Sequence, residues 1–373
     1  MSFYLSVIIV LAVLLIVTVH RARKVASALD DLLNNLGVGL RTTVSHSFSQ
    51  GFSQYGPPRS VSLRPRELTG PELLRPRTYA EYRHEIDELI ARAAVLGDFG
   101  PVTKLSRACE LALVEGKRLR PIIAWEIARG VSLGRPDATP VDPAELALFV
   151  EYLHSASLVI DDLPAFDNDT LRRGRPTVHA VSGVGVAQMA AISIAAAAFQ
   201  NLCRQLDWVR ANCPEFGNID RVGTRLCGDV SRALGALGAA GGQYMDAQTP
   251  EEIEREAGPD AAVEIALRKT ASFFEIATLS GWLIAGGSPE FQPLMRELGS
   301  CIGLAYQIAD DIGDLSTDME RGRGKNYAAV YGIDTAHLAV DTNLRIAKMI
   351  LVTAGLWSPV WGEIFGGIRG SNA

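Results

Sequence analysis

The chain has 373 residues, enough for one large or two smaller domains. It is 48% apolar with a net charge of −6 and no basic stripe, which favours a large helical core and excludes nucleic acid as an expected partner. The five cysteines (Cys109, Cys203, Cys213, Cys227, Cys301) are odd in number and lack Cys-x-x-Cys spacing, so they read as reduced thiols and not as a disulfide frame or zinc site.

Phe3–Val19 is apolar apart from Ser6 and Thr18, and Arg21, Arg23 and Lys24 follow at once. As a helix its ~17 residues span roughly 26 Å, adequate for a bilayer. A cleaved signal peptide carries its charge before the apolar run and a small-residue cleavage site after it. Here the order is reversed, so residues 1–23 are expected to be a signal anchor. By the positive-inside rule this gives a single-pass membrane protein with its bulk in the cytoplasm. Residues 24–74 read as a flexible tether, rich in Ser, Gly, Gln and Pro between Thr42 and Arg66. From Pro76 onward helical patterns dominate, and the sequence shows no strand pattern and no internal repeat. Helices are expected at Tyr79–Leu96, Val102–Glu115, from Pro121, Pro143–Leu163, Gln188–Leu206, Val230–Gly242, Ala261–Ala285, Glu290–Asp314 and Ile333–Ile350. A short terminal helix or apolar tail carries Trp357, Trp361 and Phe365.

The stretch Glu151–His179 organises the rest. An apolar run delivers Asp161, Asp162, Asp167 and Asp169, then Arg172, Arg173 and Arg175. Aspartates this crowded repel one another unless a cation sits among them. All-oxygen, all-acidic ligands suit Mg²⁺ or Ca²⁺, and guanidinium forks suit phosphate oxygens. Pro164 blocks the helix, so a bulging turn can bring Asp167 back to the pair. An EF-hand register fails, because Arg172 would occupy the glycine slot and Val178 the last. The Asn168-Asp-Thr170 sequon lies inside the acidic site, and Gly183-Val-Gly185 follows no strand; both are discounted. Far downstream, Asp310 and Asp314 share one helix face with Asp311 alongside. Two acidic faces across a cavity would hold a polyphosphate through several divalent ions.

This pair of motifs, with Leu171-Arg172-Arg173-Gly174 after the first, resembles the trans-isoprenyl diphosphate synthases of the geranylgeranyl/farnesyl branch. The resemblance covers roughly Leu73 to Gly332 and includes Gly116-Lys117-Arg118-Leu119-Arg120-Pro121, Gly242-Gln243-x2-Asp246 and Lys269-Thr270 in family order. It implies an all-α fold, a single large bundle of the isoprenoid-synthase type around a central cavity, over residues 75–373. It implies Mg²⁺ as cofactor, held by Asp161, Asp162, Asp167, Asp310, Asp311 and Asp314. The substrates it implies are isopentenyl diphosphate and an allylic diphosphate (dimethylallyl, geranyl or farnesyl), handled by a homodimer.

By the same resemblance Lys117, Arg120, His154 and Arg173 bind the non-ionising diphosphate. Arg172 and Lys269 add positive charge at the leaving group, Thr270 and Gln307 meet the allylic substrate, and Lys325 is a further substrate ligand. The catalytic set is Asp161, Asp162, Asp167, Arg172, Lys269 and Asp310. Product length depends on the positions four and five before Asp161, Ser157 and Ala156; their small side chains imply an open tunnel and a C20 product over C15, with a C15 or longer-chain synthase as the alternative. Three departures stand out. Glu115-Gly116 replaces a usual glycine pair, Ile160 replaces a usual histidine, and only Lys325, within Arg321-Gly-Arg323-Gly-Lys, follows Asp314. Competing expectations are an inactive subunit anchoring a partner at the membrane, for which a motif aspartate or arginine should be missing, and a terpene cyclase, which would lack Lys117 and Arg120.

Overall fold

The computed structural model describes residues 70–96, 98–100, 103–135, 137–249, 252, 255, 260–320 and 325–370. The expected anchor, the tether to residue 69, the loop Gly322–Gly324 with Arg321 and Arg323, and most of Pro250–Gly258 lie outside these residues.

The described chain is helical: α1 Tyr79–Leu96, α2 Lys104–Leu113, α3 Leu119–Leu133, α4 Ala144–Asp161, α5 Val184–Asn212, α6 Ile219–Leu234, α7 Ala239–Ala247, α8 Ser272–Ile284, α9 Gln292–Glu320, α10 Ile333–Thr353 and α11 Pro359–Arg369, with shorter turns between them. In α3, α4 and α8 almost every residue is buried. A helix apolar all round can only stand inside a bundle. Accordingly α4 packs on α5 and α3, α8 on α3 and α9, and α9 on α10. The α3–α8 crossing needs Gly281, since a Cβ there would lie 2.4 Å from the Ala124 carbonyl oxygen. Among the described residues α5 is the one helix long and apolar enough to cross a membrane, yet it packs along α4 in this bundle.

Several expectations shift. Thr103 caps α2 in a reciprocal capping box with Ser106, trimming Val102–Glu115 to ten residues. The helix read at Val230–Gly242 is two: the chain breaks at Gly235 and restarts after Gly238, where a Cβ would strike the Ala233 carbonyl at 2.0 Å. Ala261–Ala285 is interrupted by a π-helical turn at Ala266–Ala271, a wider turn that often accompanies a functional side chain. The expectation of no strand is corrected by a minimal hairpin, β1 Leu171–Arg172 with β2 Arg175–Pro176. Its two turn residues, Arg173 (φ 54) and Gly174 (φ 75), take the left-handed backbone that a two-residue hairpin demands. Two strand residues are too few for an alternation to register in sequence. All five cysteines are free, with Cys203 and Cys227 exposed.

The loop between α2 and α3 is pinned by a buried ion pair. Arg118, in the left-handed region, donates to Glu151 Oε1 at 2.5 Å, Asp87 Oδ1 at 2.8 Å and the Leu113 carbonyl at 2.7 Å. Both Arg118 and Glu151 side chains are 2% exposed. Removing Glu151 takes away one of the two carboxylates on this buried guanidinium, so Glu151→Ala should destabilise the protein by about 1–3 kcal/mol. The double variant Arg118→Met/Glu151→Leu should lose less, and thermal melts of both decide it. A Glu151→Ala melt superimposing on wild type would contradict the pinning role.

Candidate active site

The first acidic wall is the end of α4. Asp162 caps the helix, and the chain then doubles back after Pro164: the Phe166 N–H reaches the Leu163 carbonyl at 2.9 Å and the Asp167 N–H the Asp161 carbonyl at 3.0 Å. Asp167 thereby rejoins the pair, as the proline spacing suggested. Asp162 is held by Arg172, whose Nε and Nη2 lie 2.7 and 2.6 Å from Oδ1. The hairpin is what presents Arg172 to α4.

The second wall is α9. Thr270 Oγ1 donates to Gln307 Oε1 at 2.5 Å, Gln307 Nε2 to Asp311 Oδ1 at 2.8 Å, and the Tyr327 N–H to Asp311 Oδ2 at 2.8 Å. Thr270 and Gln307 therefore orient Asp311. Lys269, on the π-helical turn, pairs with Asp246 Oδ2 of α7 at 2.7 Å. The close approach of α7 to that turn requires Gly242, where a Cβ would sit 2.3 Å from the Lys269 nitrogen. Between the walls lies a cavity of about 320 Å³. Asp167 lines it together with Asp311, Asp314, Lys269 and Thr270, so one aspartate of the first motif and two of the second share a compartment, whereas Asp162 lines a separate cleft beside the hairpin.

The basic run divides by role. Lys117 stands over the Tyr306 ring at 5.2 Å and Arg120 over the Phe274 ring at 4.4 Å, while Arg118 serves the ion pair above. α3 opens at Leu119, so Lys117 and Arg120 flank a helix N-terminus as Pro121 implied. Arg120 Nη1 lies 3.0 Å from His154 Nε2. Burial, then the Arg120 and Arg173 charges, hold His154 well below its ordinary pKa, so the neutral ring accepts at Nε2 and carries its proton on Nδ1. That Nδ1 and Arg120 Nε are buried with no hydrogen-bond partner. Orphan donors gathered around a buried guanidinium suit an anion.

Burial raises the pKa of Asp161 to about 6, with Asp167 adding to the effect and Lys269 opposing it. Burial does the same to Asp311, also to about 6, against the Tyr327 N–H and Gln307. Asp310 is raised by burial and by Asp314, while Lys117 opposes the shift. Burial works against the Lys269 ammonium, but Asp246, Asp161 and Asp167 more than offset it and raise its pKa.

Among the described residues no three acidic, histidine or cysteine groups converge as a ready metal cage. The donor set nonetheless fits Mg²⁺, which takes one or two carboxylates and completes its shell with water and phosphate oxygens. Asp161, Asp162 and Asp167 on one side and Asp310, Asp311 and Asp314 on the other are the oxygens available.

Lys325 donates to the carbonyls of Met245, Asp246 and Gln248 and so closes the end of α7. Ala156 is buried, and Ser157 is half-buried with its hydroxyl donating to the His154 carbonyl at 2.8 Å. Asp318 and Asn326 were missed as site residues. Asn326 donates to the Asp311 carbonyl at 2.6 Å and to Asp318 Oδ2 at 3.0 Å, bracing the second wall. Asp318 sits one helical turn beyond Asp314, a spacing that could have flagged it.

A carboxyl whose pKa rises on folding stabilises the fold below its unfolded value of 3.8, and that contribution is lost as pH climbs through about 6. Asp161→Asn should therefore raise metal-free stability at pH 7.5 by about 1–3 kcal/mol, roughly 2–4 °C per kcal/mol. The gap to wild type should close toward pH 4. A variant melting below wild type at pH 7.5 would refute this electrostatic account.

Residues 102–329 match the Polyprenyl synthetase family. A trans-prenyltransferase of African swine fever virus (isolate Pig/Kenya/KEN-50/1950) is 38% identical over 86% of this chain and 92% of its own length. Geranylgeranyl pyrophosphate synthase 7, chloroplastic, of Arabidopsis thaliana is 35% identical over 56% of each chain. Among solved structures, an FPP/GFPP synthase from Zymomonas mobilis superposes with a TM-score of 0.61 at 23% identity, covering 79% of this chain and 97% of that one. That likeness shows the isoprenoid-synthase helical fold. The chain therefore belongs to the trans-isoprenyl diphosphate synthases of the polyprenyl synthetase family and is a trans-prenyltransferase.

Proposed function

We propose that the enzyme condenses isopentenyl diphosphate with an allylic diphosphate to make geranylgeranyl diphosphate, using Mg²⁺. The observation that carries this is the shared cavity, with Asp167 on one side, Asp311 and Asp314 on the other and Lys269 between. Mg²⁺ bound by the two aspartate sets would supply Lewis acidity to the departing diphosphate. Lys269 and Arg172 add fixed positive charge at the same leaving group. Arg120, Lys117, His154 and Arg173 take the other diphosphate, which keeps its bond to carbon. The allylic C–O bond breaks, the isopentenyl double bond forms the new C–C bond, and the proton lost passes to the released pyrophosphate. No side-chain base is required. The apolar interior of α3, α4 and α8 excludes the water that would quench an allylic cation.

The Lys117–Arg120–His154 cluster favours a two-substrate enzyme over a cyclase. Both aspartate motifs are complete, which speaks against a purely anchoring subunit. Small Ala156 and Ser157 favour C20 over C15, in keeping with a relative named for geranylgeranyl pyrophosphate. The Phe3–Val19 segment and the basic residues after it support a membrane anchor with the catalytic domain in the cytoplasm, where a greasy product could pass to the bilayer. Val184, Met189 and Ile192, exposed on α5, offer an apolar face for a homodimer.

With Mg²⁺ the enzyme should release pyrophosphate only when both substrates are present, and labelled isopentenyl diphosphate should end in a C20 product. A product stopping at C15 would overturn the chain-length assignment. Ala156→Phe should shorten the product, and an unchanged product would place the tunnel floor elsewhere. Full-length chain should sediment with membranes and a chain lacking residues 1–23 should not; equal partitioning would remove the anchor.

A further inference from the structure

Glu115, which stands where the resemblance implies a glycine, has a left-handed backbone with a φ of 60. A glutamate held in the left-handed region needs something to hold it. Its carboxylate accepts from Arg175 Nη2 at 2.6 Å, and its carbonyl accepts from Arg173 Nη1. The following Gly116 is bare beneath the same arginine: a Cβ there would lie 2.8 Å from Arg173 Nη1 and 2.9 Å from Arg118 Nη1. Glu115, Arg172, Arg173 and Arg175 line one narrow cleft between the hairpin and the end of α2.

The three hairpin arginines thus have two anchors. Arg172 is fixed by Asp162 at the end of α4, whereas Arg175 is held by the Glu115 carboxylate and Arg173 by the backbone carbonyl of the same residue. Burial lowers the pKa of Arg173, and the like charges of Arg118 and Arg172 add to this against the attraction of Glu151.

We propose that Glu115 is a positioning residue that latches the hairpin to the loop before α3 and so holds Arg173 at the subsite for the non-ionising diphosphate. This rests on the assignment of that subsite under Proposed function. The Glu115–Arg175 pair is about half exposed on both sides, 47% and 52%, and exposed pairs add little stability. Glycine at 115 would also relieve the left-handed backbone. The latch should therefore register in substrate affinity and not in the melting temperature.

The test is steady-state kinetics of the full chain with Glu115→Gly, Arg175→Met, the double variant and Arg173→Met, alongside thermal melts. Glu115→Gly should raise KM for isopentenyl diphosphate roughly 3–10-fold, leaving kcat and the allylic KM within about twofold. Its melting temperature should not fall. Arg175→Met should match it, and the double variant should be no worse than either single change. Arg173→Met should raise the same KM further. If Arg173→Met does so while Glu115→Gly and Arg175→Met do not, the latch is idle and the proposal fails alone. If Arg173→Met has no effect on that KM, the subsite assignment fails and the latch with it. A parallel decline of all constants with a lower melting temperature would make Glu115 merely structural.

Discussion

Like charges brought together out of water are the constraint on which this molecule turns. Asp161, Asp310 and Asp311 each have a pKa raised by burial, and aspartate neighbours reinforce it. Such a site is unfavourable on its own. Lys269 is the protein's partial answer, set between Asp246, Asp161 and Asp167. Its attraction offsets part of the repulsion.

The scaffold keeps this arrangement rigid. The acidic helices α4 and α9 are joined through the buried α8, and the turn carrying Lys269 and Thr270 leads directly into α8. Thr270, Gln307, Asp311 and the Tyr327 N–H form one relay across three elements. Lys325 and Asn326 tie the segment after α9 to α7 and to Asp318. The basic subsite depends on a separate pin, Arg118 with Glu151 and Asp87. A single bundle thus holds two polar clusters side by side, one of carboxylates and the other of guanidinium, imidazole and aromatic faces.

Much of the site was legible in the sequence because its chemistry is written in local clusters. Asp161, Asp162 and Asp167 need only a helix end and a proline; Asp310 and Asp314 need only helical spacing. The long helices were legible for the same reason, since a buried stripe repeats every turn. What escaped was fixed by contacts distant in sequence or by very short elements. The hairpin 171–176 is two residues a side. Gly235 and Gly238 break a run whose alanines look continuous. The resemblance assigns Lys117 and Arg120 but not Arg118, and the placement of Glu151 and Asp87 shows what Arg118 does instead. Lys325 reads as a substrate ligand, while its ammonium caps α7 through partners about eighty residues away.

The central claim is that diphosphate completes a cation site that the aspartates leave open. It can be tested by counting Mn²⁺ bound to the enzyme, by electron paramagnetic resonance, with and without a non-ionising allylic thiodiphosphate. Added analogue should increase the number of bound ions, and Asp167→Asn and Asp314→Asn should each blunt the increase. An unchanged count, or a gain that survives loss of either wall, would contradict the account.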